Sequence, residues 1–366
     1  MVVPGGVDRG GTERVIPILL AMIERVAARH ELHVFALRQE PRPGSWPLLG
    51  ATVHNLGGRR PTLPALRAVM AEHRRGPFDV LHGVWVAGGL VAGTAARLLR
   101  RPALLHLVGG DVASVPEIGY GLQRTRRGRA WFHAAVRMAS HVTAESGYLA
   151  RLAGERGVIA ERLPWGVSVR EWPALAPRPR EAGAPARLLF VGSLNEVKDP
   201  RTLVRAAAAL RKRGMAFQLD VIGADTLGGE IQRRAEALGL NGTVRFHGWM
   251  SQDALRPWML QADVLLLPSR HEGMSVVAME AALAGVPTVG TRVGLLDDWA
   301  PEASVTVPAT DPCALADAVA GLLLDEERRL RIARAAQRRA LRDDADHAAA
   351  RVLEIYDTLT QPGRAS

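Results

Sequence analysis

The sequence predicts an α/β protein of two doubly wound parallel sheets, and three observations predict it. Its 366 residues exceed one typical core and suit two domains of ordinary size. Short β-branched or aliphatic runs alternate with longer amphipathic segments through both halves, the rhythm of βαβ units. Between the halves, residues 172–186 (WPALAPRPREAGAPA) are rich in proline and alanine and have no apolar period, which reads as a linker.

In the first domain, residues 1–171, strands are expected at 32–37, 52–56, 79–85, 103–108, 141–146 and in the run ending at Leu163. Only Met1–Pro4 precede the first glycine-rich loop, so the opening strand is either a stub or begins upstream. In the second domain, residues 187–342, strands are expected at 187–192, 217–223, 243–248, 263–269, 286–291 and 304–308. Residues 343–366 hold a last helix that is expected to cross back toward the first domain. Ligands of open α/β sheets sit beyond the carboxyl ends of strands, so functional residues are sought there.

Composition excludes several classes. No run approaches the roughly 18 apolar residues that span a bilayer, and no basic-then-apolar leader opens the chain. The single cysteine, Cys313, allows neither an intramolecular disulfide nor a cysteine zinc site, which suits a cytoplasmic location. Residues 1–180 hold 25 arginines against 13 acidic residues, a net +12, while residues 181–366 come to −2. The basic half is either a solvated surface or a peripheral contact for an anionic membrane face or an anionic acceptor. Basic and aromatic residues do not interleave as in single-strand binders, so no nucleic-acid partner is expected. Lysine occurs only at 198 and 212, among 45 arginines.

No Gly-x-Gly-x-x-Gly follows a strand, neither lysine follows a glycine as in a Walker A loop, and no histidine–carboxylate metal motif is visible. The most informative segment is PSRHEGMSVVAMEAALAGVPTVGT (268–291). A strand end passes Gly273 and opens a helix near Met274–Ser275, where free N–H groups and the positive dipole end suit a phosphate. Glu272 precedes that helix and Glu280 lies within it, about 12 Å along at helical rise. That span fits a nucleotide-sugar and exceeds the roughly 5 Å between carboxyl groups of a retaining glycosidase. Alone, such a pair is more often two solvated helix charges.

These residues closely resemble glycosyltransferase family 4, in which two glutamates separated by seven residues stand between a Pro-Ser strand end and a Gly-x-Pro turn. Glu272, Gly273, Glu280, Gly285 and Pro287 match in order and spacing. The resemblance implies the GT-B fold, two Rossmann-like domains facing across a cleft. It assigns Glu272 to the donor-sugar hydroxyls near the reacting carbon and Glu280 to the ribose. The backbone of Gly273, Met274 and Ser275 would face the diphosphate. In VGSLNEVK (191–198), Gly192 and Lys198 match a second phosphate loop, but Ser193 replaces the family arginine, for which Arg201, Arg270 or Arg292 could substitute. In GGTER (10–14), Gly10, Gly11, Glu13 and Arg14 match a cleft loop opening a helix. His106 is expected at the reacting centre, with His82 a weaker candidate, and Trp249 beside the nucleobase. GLQRTRRGRAWFH (121–133) is either a contact for an acidic or lipid-linked acceptor or a solvated face.

The resemblance implies a retaining glycosyltransferase that moves a sugar from a UDP- or GDP-linked donor, a substrate rather than a cofactor, to a hydroxyl acceptor. It implies no divalent metal. The rivals are a sugar-nucleotide epimerase on the same fold and a non-catalytic lipid- or nucleic-acid-binding protein.

Overall fold

A computed structural model describes residues 1–11, 14–58 and 62–361. The chain divides into two compact units, Met1–Ser168 with Asp343–Ser366, and Val169–Arg342.

The first unit runs β1 (Val2–Val3), α1 (Pro17–Ala27), β2 (His33–Ala36), β3 (Gly44–Leu48), β4 (Ala51–Asn55), α2 (Thr62–Arg75), β5 (Leu81–Val84), α3 (Trp85–Leu99), β6 (Ala103–Leu107), α4 (Arg126–Met138), β7 (His141–Ala144), α5 (Gly147–Gly154) and β8 (Glu161–Arg162). Its sheet order is β3-β4-β2-β1-β5-β6-β7-β8. Every neighbouring pair is parallel except β3–β4. The opening strand is the short form: Val2 and Val3, both fully buried, pair with Phe35 and Ala36 on one side and Gly83 on the other.

Two details differ from the sequence reading. Strand β3 was not expected, because Gly44 and Pro47 break its pattern. It is an antiparallel edge strand, where proline is tolerated, and it buries Trp46 and Leu48. Helix α1 starts at Pro17, at N1, rather than directly after the glycine pair. Glu13 lies outside the described residues, and Arg14 has a left-handed φ of 49° that no helix contains.

The second unit runs β9 (Ala186–Val191), α6 (Pro200–Lys212), β10 (Phe217–Ile222), α7 (Glu230–Ala237), β11 (Val244–Gly248), α8 (Gln252–Gln261), β12 (Val264–Leu267), α9 (Val276–Leu283), β13 (Thr288–Thr291), α10 (Gly294–Trp299), β14 (Val305–Val307), α11 (Pro312–Leu324) and α12 (Glu326–Arg342). The sheet is wholly parallel, in the order β11-β10-β9-β12-β13-β14. Counted within the unit this is 3-2-1-4-5-6, the Rossmann order, whose direction reverses between β9 and β12. Leu188, Phe190, Leu219, Val221, Val264, Leu266 and Val289 fill one face of the sheet against α6 and α11.

The stretch 172–186 belongs to this second unit and is fastened to it. Trp172 is buried, the Leu175 N–H donates to Leu283 O at 2.9 Å, and the Arg180 N–H donates to Glu326 at 2.9 Å. The last helix, α13 (Ala345–Thr360), packs on the first unit instead. Arg351 forks onto Glu161 at 2.6 and 3.1 Å, Arg25 meets Asp346 at 2.6 Å, and the Tyr356 hydroxyl lies 2.7 Å from His82 Nδ1.

Candidate functional site

Crevices in Rossmann sheets open where strand order reverses, here beyond the carboxyl ends of β9 and β12. The two loops that leave those ends carry most of the residues singled out in the second half of the sequence.

The first loop runs from Gly192 to Asp199. Asp199 takes a left-handed conformation (φ 45°) and caps α6, accepting the Thr202 N–H at 3.2 Å and the Thr202 hydroxyl at 2.8 Å. Gly192 and Ser193 lie where the β9 and β10 ends nearly touch: a Cβ on Gly223 would stand 2.0 Å from Gly192 O. The Lys198 chain lies across Gly192, its Cε 3.6 Å from where a Cβ would be. Its backbone N–H donates to Asn195 Oδ1 at 3.0 Å.

The second loop runs from Pro268 to Ser275. Glu272 Oε1 accepts Lys198 Nζ at 2.6 Å and the Ser269 hydroxyl at 2.6 Å. The carboxylate is nearly buried, while a quarter of the lysine side chain stays exposed. The Thr291 hydroxyl holds Ser269 O. Gly294, at φ 57°, lets α10 start directly behind the loop, since a Cβ there would meet Glu272 Cβ and Gly273 O at 2.8 Å each. Gly273 and Met274 are buried, and Ser275 turns the chain into α9 with a left-handed φ of 70°. No side chain caps α9, and the Ser275 hydroxyl is buried without a hydrogen-bond partner. Uncapped first-turn N–H groups and a nearby ammonium form a seat for an anion.

Glu272 and Glu280 do not share one continuous helix, contrary to the sequence expectation. Ser275 interrupts the helix, so only residues 276–283 are helical and two helical turns do not set the phase of Glu272. Glu280 points into a different setting. It is 3% exposed and accepts Gln252 Nε2 at 3.0 Å, while Gln252 Oε1 accepts Trp172 Nε1 at 2.8 Å. Burial, with a smaller push from Glu171, raises the Glu280 carboxyl to about 7. Neither Gln252 nor Trp172 was singled out in the sequence, since each is far from Glu280 along the chain and Trp172 sat in the supposed linker. Trp249 is 64% exposed just past β11. Behind it, His247 lies 2.7 Å from Asp220 and packs on Trp258.

The three arginines weighed against Ser193 now differ. Arg201 is held by Glu230 at 2.7 and 2.6 Å and by Glu196 at 2.5 Å, and Arg270 lies 3.4 Å from Asp199. Arg292, exposed at the end of β13, has no side-chain partner among the described residues.

In the first unit, His106 is not a surface group. It is fully buried, stacked 4.3 Å from the Trp165 ring at 9°, with Nδ1 at 2.8 Å from the Thr143 hydroxyl. Burial lowers its pKa to about 3, so it is a neutral packing imidazole rather than a proton donor to a substrate. His82 is buried beside it and also held neutral by desolvation. Among the described residues, His82 Nε2, His106 Nε2 and Trp165 Nε1 have no hydrogen-bond partner. Asp111, which follows the strand, is buried too, accepting the N–H groups of Val86 at 3.1 Å and Val108 at 3.0 Å; burial raises it to about 7. The Gly10–Gly11 turn is folded back on Asp8, which accepts the Gly10 N–H at 3.3 Å on its side chain and the Gly11 N–H at 3.0 Å on its carbonyl.

Residues 185–325 match the family model described as "Glycosyl transferases group 1". The D-inositol 3-phosphate glycosyltransferase of Arthrobacter sp. (strain FB24) is 29% identical over 322 residues, 80% of this chain and 76% of that protein. Among solved structures, sucrose-phosphate synthase (tll1590) from Thermosynechococcus elongatus superposes with a TM-score of 0.80 at 20% identity, covering 98% of both chains. Anabaena Alr3699/HepE in complex with UDP and glucose superposes at 0.74 and 18% identity, again over 98% of both chains.

Proposed function

We propose that the chain, a glycosyltransferase on the GT-B fold, is of family 4 and transfers a sugar from a UDP-sugar to a hydroxyl acceptor with retention of anomeric configuration. The observation that carries the donor assignment is the convergence of Lys198, Glu272 and the uncapped start of α9 beyond β9 and β12.

In this reading the diphosphate sits on the first-turn N–H groups of α9, with Gly273, Met274 and Ser275 around it. Lys198 neutralises the charge that grows on the leaving diphosphate, the kind of stabilisation that usually dominates such transfers. Arg292 supplies the second charge that Ser193 does not. Glu272 accepts hydrogen bonds from the donor-sugar hydroxyls, and Glu280 accepts from the ribose diol. Trp249 flanks the base. A UDP-sugar is favoured over a GDP-sugar because the Anabaena neighbour holds UDP.

The relatives' names carry a phosphorylated inositol, and the arginine-rich first half suits an acceptor of that charge. A peripheral membrane contact is the remaining part of the proposal. Its best-placed element is α4, where Arg127 lies over the exposed Trp131 ring at 4.4 Å. Among the described residues, no helix is long and apolar enough to cross a membrane.

A thermal-shift series with UDP, GDP and ADP tests the donor site, because a ligand bound only by the folded chain raises its melting temperature. UDP is expected to give the largest shift, and Lys198→Ala to weaken UDP binding about tenfold, as for a lost charged hydrogen bond. No shift with any nucleotide, or an undiminished one in the variant, overturns the assignment.

A further inference from the structure

A second cluster stands in the first unit, on elements that the transfer chemistry does not use. His33 opens β2, His54 lies in β4, and Glu72 lies in the last turn of α2. One ligand atom from each falls within 4.8 Å of the other two. In the register of the parallel pair, His54 is opposite Phe35, two residues beyond His33, so both imidazoles share one face. Their rings are stacked at 5.1 Å and 5°, and His33 Nδ1 stands 2.9 Å from His54 Nε2.

The outer nitrogens of both rings are also held. His33 Nε2 lies 3.3 Å from Glu31 Oε1, and His54 Nδ1 lies 3.2 Å from the Ser45 hydroxyl. An ionised carboxylate only accepts, so a His33 proton on Nε2 faces Glu31 and Nδ1 is left to accept the His54 Nε2–H. A cation seated between the two rings would take the place of that proton. Two ring nitrogens and a carboxylate oxygen within 4.8 Å of one another are suited to a metal ion.

We propose that His33 Nδ1, His54 Nε2 and Glu72 form a zinc site that ties α2 to the β2–β4 edge of the first sheet. Two imidazoles and a carboxylate, with water in the fourth position, are an ordinary zinc donor set. Mg²⁺ and Ca²⁺, which take oxygen ligands, do not fit two nitrogens. On binding, the His54 proton moves from Nε2 to Nδ1, where the Ser45 hydroxyl rotates to accept it, so the neutral pair releases no net proton. Glu31 and Ser45 are then the oxygen partners that orient metal-bound histidines and set their tautomers. Arg75 pairs with Glu72 Oε1 at 2.5 Å, leaving the second carboxylate oxygen for the cation. His33 and Glu72 keep 17% and 16% of their side chains exposed, so water and metal reach the site. Because His33 opens its strand, the cluster lies at the end of β2 opposite to the one where Rossmann ligands bind. The metal braces the fold and takes no part in the transfer.

The test is a titration of the EDTA-treated full chain with Co²⁺, read by its visible d–d bands, and with Zn²⁺ by calorimetry. One equivalent is expected to bind and to raise the melting temperature. Binding should be lost in His54→Gln and Glu72→Gln and weakened about tenfold in Glu31→Gln, the usual effect of removing an orienting partner. His247→Gln, on a histidine in the other unit, should bind as the wild type does. Glu31 is a surface residue, so its variant keeps the test valid if His54→Gln fails to fold. Absent stoichiometric binding, or binding unaltered by Glu31→Gln and Glu72→Gln, overturns the proposal. Turnover lost on metal removal would overturn the bracing role.

Discussion

Both sheets reverse their strand order after the first strand, yet the groups at the two reversals differ in kind. Beyond β9 and β12 of the second unit, an ammonium, a carboxylate and an uncapped helix start converge. In the first unit, the neighbouring strands β5 and β6 turn His82 and His106 into a buried aromatic cluster with Trp165 and Tyr356. The shared topology provides the place, and only the residues decide whether that place is polar and reachable or packed.

The largest effect that would break this comparison is on turnover. Glu272→Ala is expected to lower kcat by about a hundredfold or more, the scale of losing one group that stabilises the transition state, while leaving UDP affinity within a few-fold. His106→Phe should leave kcat within about threefold, as a packing swap does when no reacting atom is touched. A collapse of turnover in a folded His106→Phe chain would return that histidine to the chemistry.

Acid–base linkage gives the next effect, with opposite signs at Glu280 and His106. Glu280, raised to about 7, contributes stability that is full below the ordinary carboxyl pKa and is lost as pH rises through about 7. Glu280→Gln should abolish that decline, a difference on the order of 3 kcal/mol. His106, lowered to about 3, contributes stability that is present above the ordinary imidazole pKa of 6.5 and is lost as pH falls toward about 3. Asp111 titrates in the same unit with the opposite sign. Subtracting the denaturation curves of His106→Phe from those of the wild type removes its contribution. Parallel curves for wild type and variant would contradict either assignment.

The smallest expected effect is at Ser275. Its left-handed backbone favours glycine, so Ser275→Gly should change stability by about 1 kcal/mol or less by chemical denaturation, with UDP affinity almost unchanged. A large loss of UDP binding would show that the Ser275 hydroxyl, and not only its backbone, holds the ligand.

Much of this was legible in the sequence, for physical reasons. The central strands β9 and β12 of the second unit hold continuous apolar runs, LLFV and VLLL, as buried parallel strands do, and such runs stand out. Lys198 stood out because arginine is used almost everywhere else. Strand β3 was hidden because an edge tolerates the Gly44 and Pro47 that disguise it. The 2.6 Å contact of Lys198 with Glu272 joins residues 74 apart, and the His33–His54–Glu72 group gathers three elements, so neither has a local signature. His106 was misread because a strand-end position alone does not reveal that Trp165 covers the ring.

Trp172 stands four residues past Ser168, where the chain leaves the first unit for the second. Its indole steadies Gln252, and Gln252 in turn steadies the carboxyl of Glu280. Two hydrogen bonds therefore anchor Glu280, among the most deeply enclosed acids of the second unit, to the segment by which the chain enters that unit.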